Sequence, residues 1–583
     1  MSQHPLTIAV VGAGISGLAS AYECAKRAQH LGTPIRIRIF EQNTLVGGNA
    51  QTRVFSLGTP YDDQKLPGTD YFRWADMGVN DINLTAYKRV AEVMRDIGYH
   101  NEAWTDPKRK RLLPLENTEC YFTLDGNRAY TDDRDLAYGV SNPRHALNQI
   151  EGGVLPALSE IISKVALDII YPPDGKFKPG EENLEITVEA FFQHLLENPL
   201  CAFKKYAEEL RRNVDPNWQT TGLEKLKARV LLLRDNQFYP RISAMYFTNE
   251  LGPEQMLLAA PFHYYCIQEG IGNEAAARRY FVGGSQLWIE YLADYLQTKM
   301  DDGSGLVDIS LALDAAVQVT VNTDNVTVNY LNRDKPDEVF DYAVMAAHAD
   351  DALRALKFHP EEQRSNCAQR ALRQQEIQVR KILESITYTQ SVAVAHTFCG
   401  VLPQDRNAWR CYNLLIRQGV ALKPYSMTYV CNRHQNDTQN PEYSRLGYPQ
   451  FFVTLNPQMP IPDEYVLQQA PEHDIPTELN HIIPRATRLL AAQGSNTASA
   501  ERKKCVTTFK HNLLNKDCFI AQRELIDFHR SNTRLLLAGG WSLGAGLHEE
   551  CFHQAERIAA RIFPTQSHCA MSHHSESEMF DEA

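Results

Sequence analysis

The first forty residues alternate between two kinds of hydrophobic pattern. Leu6 to Val11 (LTIAVV) is a short apolar run. A glycine-rich turn follows, and then apolar positions recur at three- and four-residue spacing from Ile15 to about Leu31. Ile35 to Glu41 (IRIRIFE) returns to strict alternation. This order predicts a β-α-β unit. Residues 150 to 235 read mostly as helix, in the stretches GVLPALSEIISKVALDII, TVEAFFQHLLENPLCAFKKYAEELRRNV and EKLKARVLLL. Pro172, Pro173, Gly175 and Gly180 mark a loop between the first two. Gly284 to Met300 is a further amphipathic helix. Residues 317 to 346 alternate as short strands, VQVTV, VTVNYL and VFDYAVMAA. Leu535 to Ala538 reads as a late strand and Glu549 to Phe563 as the final helix. The tail from Pro564 to Ala583 offers little to pack and reads as disordered. Its His568, His573 and His574 make a metal-binding tail the sharper alternative.

Composition narrows the class. A chain of 583 residues allows two to four domains at roughly 150 residues each. Apolar residues at 43% and charged residues at 22% are globular values. A net charge of -12 repels phosphate backbones, so nucleic acid is not an expected partner. No apolar run approaches the length of a membrane-spanning helix. The first lysine is Lys26, so the charged start of a signal peptide is not expected either. Twelve scattered cysteines without a CxxC pair suit a reduced, cytoplasmic protein with no disulfide framework and no zinc ribbon.

The strongest chemical signal is Gly12-Ala13-Gly14-Ile15-Ser16-Gly17, set between the first strand and the first helix. Gly12 permits the tight turn, Gly14 lets the backbone approach a pyrophosphate, and Gly17 lets the helix pack against the sheet. The helix N-terminus presents free N–H groups to the phosphates. Glu41 closes the second strand, where its carboxylate can accept ribose hydroxyls, with Gln42 beside it. FAD and NAD share this fingerprint. Gly47-Gly48-Asn49-Ala50 then favours a longer cofactor, because a second glycine pair lets the backbone run close to it. Late in the chain come Gly539-Gly540-Trp541 and Gly544-Ala545-Gly546-Leu547-His548-Glu549. They predict a turn that sets a second helix N-terminus against a flavin ring, its dipole favouring negative charge on the reduced ring.

With these segments the chain resembles the FAD-dependent amine oxidase/desaturase-type flavoproteins. More narrowly, it resembles a bacterial group often encoded beside cyclopropane-fatty-acid synthase-like methyltransferases. The resemblance runs on through Asp76-Met-Gly-Val-Asn80-Asp-Ile-Asn83 with Tyr87, Gly283-Gly284-Ser285 and Asp341 to Asp350 (DYAVMAAHAD). It continues through Leu402-Pro403, Trp409, Tyr412-Asn413 and Val453-Thr-Leu-Asn456-Pro457. Asn49 stands where the family usually carries a basic residue or histidine, and Trp541 where many members carry Asp.

The resemblance implies an α/β fold: a discontinuous Rossmann-like FAD-binding domain plus a mixed α+β substrate domain with a helical insertion. The first is expected at 1–75, 278–353 and 503–563, the second at 76–277 and 354–502. It implies noncovalent FAD held by Gly12, Ala13, Gly14, Ile15, Ser16, Gly17, Glu41, Gln42, Gly47, Gly48, Asn49, Ala50, Val317, Gly540, Trp541, Gly546, Leu547 and His548. His548 is also the candidate catalytic residue. The implied activity removes hydride from a C–H bond of a small or lipid-like organic substrate. An isomerase of fatty-acyl double bonds and a non-enzymatic protein like the GDP-dissociation inhibitors are the alternatives. The intact glycine turn and Glu41 weigh against the last.

Other side chains carry plainer readings. His548 and Glu549 are neighbours on a helix and point apart, so they form no simple acid–base pair. His396, within SVAVAHTF, reads as a core histidine, and His348 as a residue ordering a turn above the cofactor. Trp409 and Tyr412 suit a flavin pocket or an aromatic core equally. His263-Tyr264-Tyr265-Cys266 reads as packing. No residue stands out as a catalytic base.

Overall fold

A computed structural model describes residues 4–564, apart from 57–71, 117, 124–128, 133–153, 173–181, 247–251, 264–276, 333, 360–365, 416–425, 436–449, 471–473, 476, 480–502 and 532. The chain divides into two compact units. Unit 1 comprises Met1–Val46, Leu292–Glu384 and Ala521–Ala583; unit 2 comprises Gly47–Tyr291 and Ser385–Ile520.

Unit 1 is built on a five-stranded parallel sheet. Its strands lie in the order Val307–Ala312, Ile35–Phe40, Leu6–Val11, Tyr342–Met345 and Leu535–Leu537. Numbered along the chain this is 3-2-1-4-5, a doubly wound order whose direction reverses between the first and fourth strands. Parallel strands buried on both faces read as unbroken apolar runs. Accordingly Ile8, Ala9, Val10, Ala343, Val344 and Leu535 to Leu537 are all buried. The register sets Val11 level with both Phe40 and Met345, so the carboxyl ends of three strands finish together.

The helix Ile15–Leu31 buries Leu18, Ala21, Ala25 and Ala28, and Gly32 ends it in the left-handed conformation at φ 62°. It packs against the final helix, His548–Ile562, with Tyr22 and Phe552 meeting edge to face at 6.3 Å. A second sheet in unit 1 orders Glu338–Phe340, Val326–Tyr330, Val317–Val321 and Leu356–Phe358.

Unit 2 holds a seven-stranded sheet of mixed direction, running from Val506–Asn512 through Tyr388–His396, Phe452–Leu455, Met427–Val430, Tyr412–Leu415 and Glu119–Phe122 to Ala129–Asp132. Phe55, Tyr121, Phe451, Val453 and Phe509 belong to the apolar cluster on this sheet. A three-stranded sheet orders Asp81–Asn83, Arg278–Phe281 and Leu112–Pro114. A helical region runs from Val154–Ile170 to Ala259–His263. The expected fold class, a Rossmann-like α/β unit beside a mixed α+β unit with a helical insertion, is the fold observed.

Several boundaries differ from the sequence reading. The run VFDYAVMAA is two strands, Glu338–Phe340 and Tyr342–Met345, in different sheets. Asp341 separates them, because its carboxylate accepts the Thr7 N–H and hydroxyl, each at 2.8 Å. The long helix expected over 187 to 214 breaks at Asn198, since Pro199 opens a new turn. The second strand stops at Phe40, and Glu41 follows it as a site residue. The final helix begins at His548, one residue early. The tail beyond Pro564, and Tyr264 to Cys266, lie outside the described residues.

Candidate functional site

The carboxyl edge of the parallel sheet is where ligands bind in doubly wound folds, at the point where strand order reverses. Here that point is walled by backbone. Gly12 sits at φ 107°, and a Cβ there would lie 2.7 Å from the Ala346 carbonyl oxygen on the neighbouring strand end. A Cβ on Gly17 would lie 1.9 Å from the Gly12 oxygen. Gly539, at φ 117°, would bring one within 2.5 Å of the Ala347 oxygen. Only glycine fits at these three positions, and the surface they leave is made of peptide groups.

Glu41 ties the turn down. Its Oε2 accepts the Ala13 N–H at 2.8 Å, and its Oε1 accepts the Asn43 N–H at 3.0 Å and the Asn43 amide at 2.8 Å. A carboxylate has about four acceptor positions, so roughly one remains for a ligand hydroxyl. Glu41 is therefore a brace for the turn as well as a ribose candidate. Within the helix, Leu18 N–H bonds the Gly14 oxygen at 3.1 Å. The N–H groups of the turn before it are the ones a helix leaves for an anion.

The final helix starts beside the first. Ser16 Oγ reaches Cys551 Sγ at 3.1 Å, which sets the two N-terminal turns together. The Gly540–Gly546 loop that leads into it folds on itself. A Cβ on Gly546, at φ 77°, would lie 2.1 Å from the Gly540 oxygen, and one on Gly544 would lie 2.0 Å from Glu550 Oε1. Trp541 is buried, and its Nε1 donates to the Ala347 oxygen at 3.2 Å. It thus contributes packing and a hydrogen bond to the turn.

Two residues that the sequence did not single out hold this loop. Gln522 Nε2 donates to the Trp541 and Gly544 oxygens, each at 2.9 Å, and its Oε1 accepts the Gly544 N–H at 3.2 Å. Glu550 accepts the Leu547 N–H at 2.9 Å, and burial pushes its carboxyl up to about 7. The pattern that marks Glu550 is a capping glutamate at the third helical position. The Gly546 and Leu547 N–H groups are thus engaged by the Leu543 oxygen and by Glu550.

His548 is buried at the start of the final helix, and its ring has no hydrogen-bond partner among the described residues. Burial lowers its pKa to about 4, so the imidazole is neutral near pH 7. Val317 is buried at the start of its strand, two residues after Ala315, whose N–H bonds the Glu41 oxygen at 2.8 Å. Gln42 is exposed. His348 precedes a short helix, its Nδ1 3.4 Å from Asp351 Oδ2.

The structure therefore brings Gly12, Ala13, Gly14, Ile15, Ser16, Gly17, Glu41, Gln42, Val317, Gly540, Trp541, Gly546, Leu547 and His548 into unit 1. Gly47, Gly48, Asn49 and Ala50 belong to unit 2, where Gly47 stands at φ 137° and Asn49 Nδ2 donates to the Lys510 oxygen at 3.4 Å.

Unit 2 has a cleft of its own. It is narrow, with room for about one water, and is lined by Trp74, Asp76, Tyr280, Phe281, Tyr429 and His434, among others. Asp76 Oδ1 accepts the Thr52 hydroxyl at 2.6 Å and the Ser285 N–H and hydroxyl at 2.9 and 3.1 Å. Burial raises its carboxyl to about 7 against the pull of those donors. Asp76 stood within a segment legible by resemblance, whereas nothing around His434 marked it. His396 is the core histidine expected: fully buried, bonded to Thr454 Oγ1 at 2.7 Å and held neutral by burial, with a pKa lowered to about 3. Trp409 Nε1 donates to the Pro403 oxygen at 2.7 Å within an apolar cluster, and Tyr412 bonds Asp81.

Comparison with known proteins agrees with the architecture. Residues 10–97 match the family of NAD(P)-binding Rossmann-like domains. Cyclohexylamine oxidase from Brevibacterium oxydans IH-35A aligns over 96% of this chain and 99% of its own, at 12% identity and a TM-score of 0.51. Putrescine oxidase aligns over the same shares in two structures. One carries a redesigned cofactor site (12% identity, TM-score 0.45) and the other is bound to putrescine (11%, 0.44). No curated protein sequence matches the chain. The class is thus an α/β protein with a Rossmann-like nucleotide-binding unit, and its fold is shared with cyclohexylamine oxidase.

Proposed function

We propose that this protein is an FAD-dependent oxidoreductase that takes hydride from a C–H bond of a small or lipid-like organic substrate. The observation that carries the reading is the meeting of three chain segments at the reversal point of one parallel sheet. The Gly12–Gly17 turn, the Ala346–Ala347 strand end and the Gly539–Trp541 turn converge there, with two helix N-termini side by side. This cradle suits a dinucleotide. The glycine turn and the first helix hold the pyrophosphate, Glu41 takes a ribose hydroxyl, and the first turn of the final helix faces the ring. When bound, FAD supplies a hydride acceptor at its N5. The chain binds and orients it, and the buried, neutral His548 contacts ring or substrate without adding charge.

Unit 1 is accordingly assigned to the cofactor and unit 2 to the substrate. The resemblance to flavin-dependent amine oxidases supports the same division, as does the fold shared with cyclohexylamine oxidase. Acid precipitation of the purified protein tests the cofactor. Yellow FAD released into the supernatant is expected. A colourless protein, or FMN or NAD in its place, overturns the reading, and flavin left in the pellet overturns noncovalent binding.

A further inference from the structure

The loop from Gly539 to Leu547 joins the last strand of the parallel sheet to the final helix, so it sets where that helix begins. Its backbone is costly to order. Gly539, Gly544 and Gly546 stand at φ 117°, 51° and 77°, and glycine loses more conformational freedom on folding than any other residue. Two short turns shape the loop. The Ser542 N–H bonds the Gly539 oxygen at 3.0 Å, and the Gly546 N–H bonds the Leu543 oxygen at 3.1 Å. Each of these bonds lies within its own turn.

One side chain spans both turns. Gln522 comes from the helix Lys516–Arg530 and is 8% exposed. Trp541 lies inside the first turn and Gly544 inside the second. Gln522 Nε2 donates to both of their oxygens at 2.9 Å, and its Oε1 accepts the Gly544 N–H at 3.2 Å. The two amide hydrogens and the amide oxygen are all in use. Because the amide is planar, these bonds fix the angle between the turns as well as their spacing. Packing alone does not call for this residue. Cys518, Ala521, Leu525 and Phe528 of the same helix are buried without such a device, and a buried amide is costly unless its hydrogen bonds are made.

We propose, on the FAD reading of unit 1, that Gln522 is a positioning residue of the cofactor site, holding the two turns so that the final helix opens towards the bound ring. Two variants test this. Gln522→Leu keeps the bulk and removes all three bonds. Hydrogen exchange over residues 540–547 should accelerate at least about tenfold while Leu535–Leu537 and the final helix keep their wild-type rates. The FAD dissociation constant should rise at least about tenfold as well. Gln522→Glu keeps the shape and makes the effect titratable. Protonated, its carboxyl still donates one bond; ionised, it sets a charged oxygen against two carbonyls. Its loss of FAD affinity relative to wild type should therefore grow as pH rises, whereas the loss in Gln522→Leu should not change with pH. Wild-type exchange in the loop, a rise spread evenly over unit 1, faster exchange with unchanged FAD affinity, or a Gln522→Glu loss that ignores pH overturns the proposal. If Gln522→Leu does not fold, Gln522→Glu decides on the same two measurements. Wild-type protein without flavin would sink the cofactor reading by itself, and the exchange rates would then still show whether Gln522 sets the loop.

Discussion

The two candidate sites are made of different material. In unit 1 the cradle is peptide backbone: Gly12, Gly17 and Gly539 leave room that side chains would fill, and the groups on offer are N–H and C=O. In unit 2 the cleft is side chains, with aromatic walls around Asp76 and His434. A backbone cradle suits a ligand with regular features, such as phosphates and ribose hydroxyls. It needs glycines at fixed spacing. A side-chain cleft can suit many shapes, and its residues come from wherever the chain passes. The contrast teaches that the first site is specified by a fixed geometry of turns, and the second by the choice of wall residues.

The comparison is broken most severely at the glycines. Gly17→Val places side-chain atoms where a Cβ alone would stand 1.9 Å from the Gly12 oxygen. Backbone cannot retreat as a flexible side chain can. A loss of several kcal/mol, with soluble yield and flavin content falling together, is expected. Gly546→Val should act the same way at the other end of the cradle, since its φ of 77° and the Gly540 oxygen at 2.1 Å both exclude the new side chain. A thermal melt and flavin absorbance check both, and wild-type values for either would show that the cradle is not backbone-limited.

Glu41→Gln should act next. It keeps the shape but leaves one acceptor oxygen where two take three hydrogen bonds, so either the bond from Ala13 or those from Asn43 are lost and the rest lose their charge assistance. Charge-assisted bonds contribute roughly 1.5–3 kcal/mol each. The FAD dissociation constant should rise at least about tenfold, with a smaller fall in melting temperature because the brace on the turn is also weakened. An unchanged constant would leave Glu41 as a structural brace alone.

Glu550 gives a pH signature that belongs to unit 1. Its folded pKa, raised to about 7, lies above the ordinary 4.5 of a glutamate. The folded state therefore holds the proton more tightly than the unfolded one. This stabilisation is full below pH 4.5 and is lost as pH rises through about 7. The amount at stake is up to about 3 kcal/mol. Denaturant titrations of Glu550→Gln across that window should lack this component, and identical pH profiles would argue against it.

The smallest expected effect on binding comes from His548→Ala. FAD retention should stay near the wild-type level while the rate of flavin reduction falls. Stopped-flow reduction with a turned-over substrate reads this, and a wild-type rate would reduce His548 to a helix start.

Much of unit 1 was legible because its constraints are local. The first strand and first helix were read with the bounds Leu6–Val11 and Ile15–Leu31. The glycine spacing there reflects sterics that act across a few residues. Gln522 was not legible, because its role is to bridge two carbonyls and an N–H that lie some twenty residues further on. The split at Asp341 was hidden for a similar reason: its partner, Thr7, lies 334 positions away. The cleft of unit 2 was least legible of all. His434 sits in an ordinary run, CNRHQ, and gains meaning only when Tyr280, Tyr412 and Tyr429 gather around it. No periodicity records that meeting.

The parallel sheet of unit 1 also sets a timetable for biosynthesis. Its middle strand ends at Val11, but one neighbour begins at Tyr342 and the outermost strand on that side at Leu535. At a synthesis rate of roughly 5–20 residues per second, half a minute to two minutes separates the first strand from the last. Until Tyr342–Met345 is made, Leu6–Val11 carries an unpaired apolar edge on that side, and from then until Leu535 the strand Tyr342–Met345 carries it. Unit 2 begins at Gly47 and is complete at Ile520, so it closes before unit 1 does. The nucleotide cradle is thus the last part of the molecule to exist. A nascent chain stalled in the 400s would expose the Tyr342–Met345 edge without Leu535–Leu537 to pair with it, and such a chain is a natural client for chaperones.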